Sequence, residues 1–66
     1  MRKIGKIVDF DGYSGELVDK EGTRHVFTKD DLMSEGVNVE DIVYFDSQLF
    51  KTVEVEMFLA KFIKKK

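Results

Sequence analysis

Turn signals cut this chain into strand-length pieces almost from its start. Asp11-Gly12-Tyr13-Ser14-Gly15 and Lys20-Glu21-Gly22 leave runs at 3–10, 16–19 and 23–28, all shorter than the roughly ten residues at which a packed helix begins. Asp-Gly and a second Gly permit the positive φ of a tight reversal. The runs between them are rich in the β-branched and aromatic residues that pack on a pleated surface. In the first run Ile4 and Ile7 fall on opposite faces, and Gly5 between them marks a bulge or a close backbone approach. Three strands linked by glycine turns make an antiparallel meander.

Residues 28–36 read as one or two helical turns. Thr28 caps the free N–H groups, Asp30 and Asp31 favour the positive end, and Gly36 suits a left-handed exit. Residues 37–41 link this to a fourth strand at 42–46, where Val43 and Phe45 share a face. Two patterns overlap in the last segment. Thr52-Val53-Glu54-Val55-Glu56-Met57 alternates as a strand does, whereas Val55, Phe58, Leu59, Phe62 and Ile63 match helical spacing. A strand at 53–60 is favoured because it closes the edge that four strands would leave open. The expected fold is therefore all-β: one domain over residues 1–66, a small five-stranded antiparallel Greek-key barrel of the oligonucleotide-binding (OB) type, with a short helical turn after the third strand.

A 66-residue chain without Cys has no disulfide or thiolate metal site to staple its core. Packing must supply the stability, and six Phe with two Tyr provide the large side chains for it. No hydrophobic block follows Met1-Arg2-Lys3, so the sequence is read without a signal peptide or membrane span, and the cytoplasm is the expected compartment. Net charge is −2, but 7 of the 11 basic residues lie in the first six and last six positions, leaving 4 in the middle with all 13 acids. Basic ends around an acidic body can hold phosphates weakly, although Lys64-Lys65-Lys66 reads first as a solvated, frayed terminus.

Catalytic chemistry finds no support. His25 is the single His, on an expected strand between Arg24 and Val26, and reads as solvated rather than as a base or ligand. The glycine turn at 11–15 joins two strands and lacks the helix N-terminus that cradles phosphate. Asp30-Asp31 and Glu40-Asp41 are adjacent carboxylates that diverge, suited to capping rather than to a metal. No enzyme, cofactor, metal or small-molecule substrate is expected.

The order of residues resembles the cold-shock domain family. Gly5-Lys6-Ile7-Val8-Asp9-Phe10-Asp11 is similar to its opening Gly-x-Val-x-Trp-Phe-Asn, and Gly15-Glu16-Leu17 to the end of its Lys-Gly-Phe-Gly-Phe-Ile motif. Val26-Phe27-Thr28-Lys29-Asp30 stands where Val-Phe-Val-His-Phe is expected, Glu40 to Phe45 resembles Gly-Gln-x-Val-x-Phe, and Ala60-Lys61-Phe62-Ile63 resembles the terminal Ala-x-x-Val. The resemblance implies single-stranded RNA or DNA as partner, bound by stacking bases on aromatic rings. Most of those rings are replaced here: Asp9 matches the first-strand Trp, the motif aromatics fall near Ser14 and Glu16, and Lys29 and Asp30 replace a His and a Phe. Phe27 alone stays in place. The expected nucleic-acid contacts are therefore Lys6, Phe10, Tyr13, Phe27 and Lys29, giving weak binding through charge and few aromatics. The alternative is a protein partner for the acidic face that Asp9, Glu16 and Asp30 would form.

Overall fold

A computed structural model describes residues 2–66. Its strands are β1 (Arg2–Phe10), β2 (Ser14–Asp19), β3 (Arg24–Thr28), β4 (Ile42–Lys51) and β5 (Glu56–Lys65), with one 3-10 turn at Lys29–Asp31. They close in the order β1-β2-β3-β5-β4. All neighbours are antiparallel except β3 and β5, which meet in parallel at Val26 and Leu59. The expected Greek-key barrel of the OB type is thus the observed one. Among the described residues no helix is long and apolar enough to cross a membrane.

Polar side chains at the loop entrances set the reversals. Asp11 Oδ1 accepts the N–H groups of Tyr13 (2.8 Å) and Ser14 (2.9 Å), and Asp19 Oδ1 accepts those of Glu21 (3.0 Å) and Thr23 (2.9 Å). Such carboxylates mimic a backbone turn and relieve the amides of solvent. Gly5 and Gly15 serve a different need, the close approach of neighbouring chains. A Cβ on Gly5 would lie 2.6 Å from the Val18 carbonyl oxygen, and one on Gly15 would overlap that of Asp9.

Ile7, Leu17, Phe27, Val37, Val43, Phe45, Ala60 and Ile63 fill the barrel, with Phe10 and Leu32 packed against them. His25 joins this interior at 1% exposure, which corrects its expected solvated position. It shares the inward phase of β3 with Phe27. Its Nδ1 lies 3.1 Å from the Thr23 carbonyl and its Nε2 2.9 Å from Ser47 Oγ, so both nitrogens are satisfied without water. Phe45 and Phe58 flank the ring, at 4.8 and 5.5 Å between centroids.

Three segments differ from expectation. The helical reading of 28–36 shrinks to Lys29–Asp31, because the next residues bond to β5 instead: the Met33 N–H donates to the Ile63 carbonyl (2.7 Å) and Ser34 Oγ accepts the Lys65 N–H (3.0 Å). β4 runs five residues past the expected 46, since Ser47 to Lys51 pair with Ala60 to Glu56. The final strand is Glu56–Lys65 rather than 53–60, because Thr52 turns the chain there. Thr52 Oγ1 accepts the Val55 N–H (3.0 Å), and its own N–H donates to the Val55 carbonyl (2.7 Å).

Candidate nucleic-acid interface

The outer face of β1, β2 and β3 is where the sequence places contacts to nucleic acid. Across it, Lys6 stands opposite Val18 and Val18 opposite Arg24, while Asp9 faces Glu16 and Glu16 faces Val26. The Arg24 guanidinium is bonded to the Glu16 carboxylate, which takes its charge out of play. Asp9 is exposed beside them. Acids on this face oppose the release of counterions that normally drives nucleic-acid binding.

The five expected contacts are dispersed. Phe27 is 1% exposed and packs in the core, so its ring offers no face for a base. Phe10 is half-buried against it, with centroids 5.5 Å apart. Lys6 is exposed, with Nζ 2.9 Å from Glu40. Tyr13 and Lys29 alone come together at the surface: the Lys29 N–H donates to the Tyr13 carbonyl (2.8 Å), and Lys29 Nζ lies 5.2 Å from the centroid of the Tyr13 ring, which is 70% exposed. The Ser14 and Tyr13 N–H groups on Asp11 hold its carboxyl below the ordinary 3.8, so this turn keeps a negative charge beside the pair.

A second face, made by β1, β4 and β5, concentrates what the first one lacks. β4 lies between the two strands that carry the basic ends, so residues some sixty positions apart become neighbours. Ile4 stands opposite Tyr44, and Tyr44 opposite Lys64. In the adjoining rows Arg2 faces Asp46 and Lys6 faces Ile42. A register shift between Tyr44 and Asp46 places the extra residue Phe62 outside the barrel, 59% exposed, while Ile63 turns inward. Phe62 has φ 53°, a left-handed conformation strained for a bulky side chain, and its carbonyl accepts a 2.7 Å bond from Arg2. Arg2, Ile4, Tyr44, Lys64 and Lys65 line an open groove of about 420 Å³.

Sequence reasoning saw the basic ends but not Tyr44 or Phe62. The charge segregation was the available signal; the missing step was strand order, which sets β4 between the ends. Among the described residues no group of three or more His, Asp or Glu side chains could hold a metal ion. Comparison with protein-family models, curated proteins and solved structures finds no match to this chain.

Proposed function

We propose that this barrel is a non-enzymatic module that binds single-stranded nucleic acid weakly, chiefly through charge. The observation that carries the reading is the gathering of Arg2, Lys64 and Lys65 with Tyr44 around one groove of a chain whose net charge is −2. Cations beside an aromatic ring offer a strand its two sequence-independent attractions, phosphate neutralisation and base stacking. The cold-shock resemblance of residues 5–11 and 40–45 points to the same ligand class.

Binding of a labelled oligothymidine, followed by fluorescence anisotropy, tests it. With three or four phosphates neutralised, affinity for a single strand falls about 20- to 50-fold between 50 and 200 mM salt, from a slope of about −0.7 per contact. A complex that keeps its affinity across that range would contradict the reading. The second reading, a protein partner, is favoured by the far end of the β4–β5 hairpin, where Leu49, Phe50, Val53 and Val55 are exposed.

A further inference from the structure

We infer that the strand lies on the β1–β4–β5 face, with bases against Tyr44 and Phe62 and phosphates on Arg2 and Lys64, rather than on the β1–β2–β3 face or at Tyr13 and Lys29. This rests on the nucleic-acid reading above and assigns its contacts. Two surfaces compete for the ligand, and three observations separate them.

The first is charge. On the β1–β2–β3 face Arg24 is tied to Glu16, and Asp9 stands exposed. On the other face Lys64 and Lys66 make no ion pair among the described residues. Four cations on this face are paired as Arg24 is, Arg2 with Asp46 (3.7 Å), Lys6 with Glu40 (2.9 Å), Lys65 with Asp41 (3.5 Å) and Lys61 with Asp31 (3.0 Å), so its charge advantage rests on Lys64 and Lys66. Arg2 bonds one carbonyl and approaches one carboxylate, and a guanidinium carries five N–H donors, so donors remain for a phosphate.

The second is aromatic surface. Phe27 is enclosed and Phe10 half-covered, and the Tyr13 ring already has Lys29 over it. Tyr44 is half-buried like Phe10 but lines the groove, and Phe62, 59% exposed, is joined to the groove residue Arg2 through its carbonyl. The third is the strain at Phe62. A glycine would sit at φ 53° without penalty, yet a large apolar ring occupies the position and leaves its face in solvent. A cost kept at an exposed residue is explained when the ring has something to touch. Geometry agrees: Arg2, Ile4 and Lys6 step along β1 at about 6.8 Å per outward residue, comparable with the step between successive phosphates of an extended strand.

Phe62→Gly is the informative variant, because it deletes the ring and relieves the strain together. Oligothymidine and oligouridine affinities at 50 mM salt are compared for the parent, Phe62→Gly, Lys64→Glu, and the Tyr13→Ala/Lys29→Ala double variant, each with its thermal midpoint. Losing one stack lowers affinity about 5- to 150-fold, so Phe62→Gly is expected to lose at least fivefold while its midpoint holds or rises. Lys64→Glu is expected to lose a similar factor, and the double variant less than twofold. If instead the double variant loses affinity and the two β5 variants do not, the assignment is overturned while the nucleic-acid reading stands. If the parent binds neither oligonucleotide at 50 mM salt, both fall.

Discussion

Truncating Phe27 asks most directly what that side chain is for. Large-to-small changes of a fully buried Phe cost about 3–5 kcal/mol, comparable with the whole stability expected of a domain this small, about 3–10 kcal/mol at 0.05–0.15 kcal/mol per residue. Phe27→Ala is therefore expected to abolish the cooperative thermal transition seen by circular dichroism, whereas a surface stacking residue would leave it within a few degrees. The sequence pattern could not assign its face, because Val26 and Phe27 are both good strand residues and a slip of one position exchanges inside for outside. His25, two positions earlier, shares Phe27's phase, so placing Phe27 on the surface misplaced both. Asp19 gives a test by pH. Burial raises its carboxyl, but the Thr23 and Glu21 N–H groups, aided by the charges of His25 and of Lys3 at 3.8 Å, outweigh this and hold it below the ordinary 3.8. A carboxyl lowered by folding stabilises the barrel above its unfolded value and loses that contribution as pH falls through the folded one. Urea unfolding is expected to show stability falling below about pH 4, with a smaller fall in Asp19→Asn.

At the scale of the element, the β4–β5 hairpin holds most of what the sequence concealed. Its neighbouring apolar pairs, Phe58-Leu59 and Phe62-Ile63, imitate helical spacing for two separate reasons. Phe58 and Leu59 project to opposite faces of a ribbon that has apolar partners on both, Leu49 opposite Phe58 and Val26 of β3 opposite Leu59. Phe62 and Ile63 flank a bulge that sends one outward and the other into the core. The alternation over 52–57 is equally mixed, since its first half is the turn. Periodicity assumes one buried face and an unbroken register, and this hairpin offers neither. The glycine-bounded first three strands, by contrast, were legible because tight turns and alternating burial coincide there. The turn's own contribution is measurable: Thr52→Ala removes the acceptor for the Val55 and Glu54 N–H groups and is expected to cost about 0.5–1.5 kcal/mol. Hydrogen exchange should quicken at residues 49–51 and 56–58 while the amides pairing β1 with β2 keep their protection. Uniform loss across the barrel would show that the hairpin does not open separately.

Across the whole molecule, closure and charge are separable. The barrel is held by its apolar interior and its ring of strand pairings. Four of its seven ion pairs among the described residues, Arg2–Asp46, Lys6–Glu40, Arg24–Glu16 and Lys51–Glu56, join exposed side chains, while Lys3–Asp19 and Lys61–Asp31 each end on a covered carboxylate. Exposed pairs of this kind contribute about 0–1 kcal/mol each and are screened by salt. The same screening acts on a ligand's phosphates, where every neutralised contact returns counterions to solution and the effect accumulates. Raising salt from 50 to 200 mM is thus expected to leave the thermal midpoint within a few degrees, since about 1 kcal/mol moves it 4–8 °C in a domain of this size. Oligonucleotide affinity should fall by more than an order of magnitude over the same interval. Midpoint and affinity measured in the same buffers decide it. A parallel collapse of both would mean that the basic ends hold the barrel shut rather than present a surface, because β1 and β5, which carry those ends, both pair with β4. A steady midpoint with falling affinity means that the ends are spared for a ligand, with closure left to Val43, Phe45, Ala60 and Ile63 behind them.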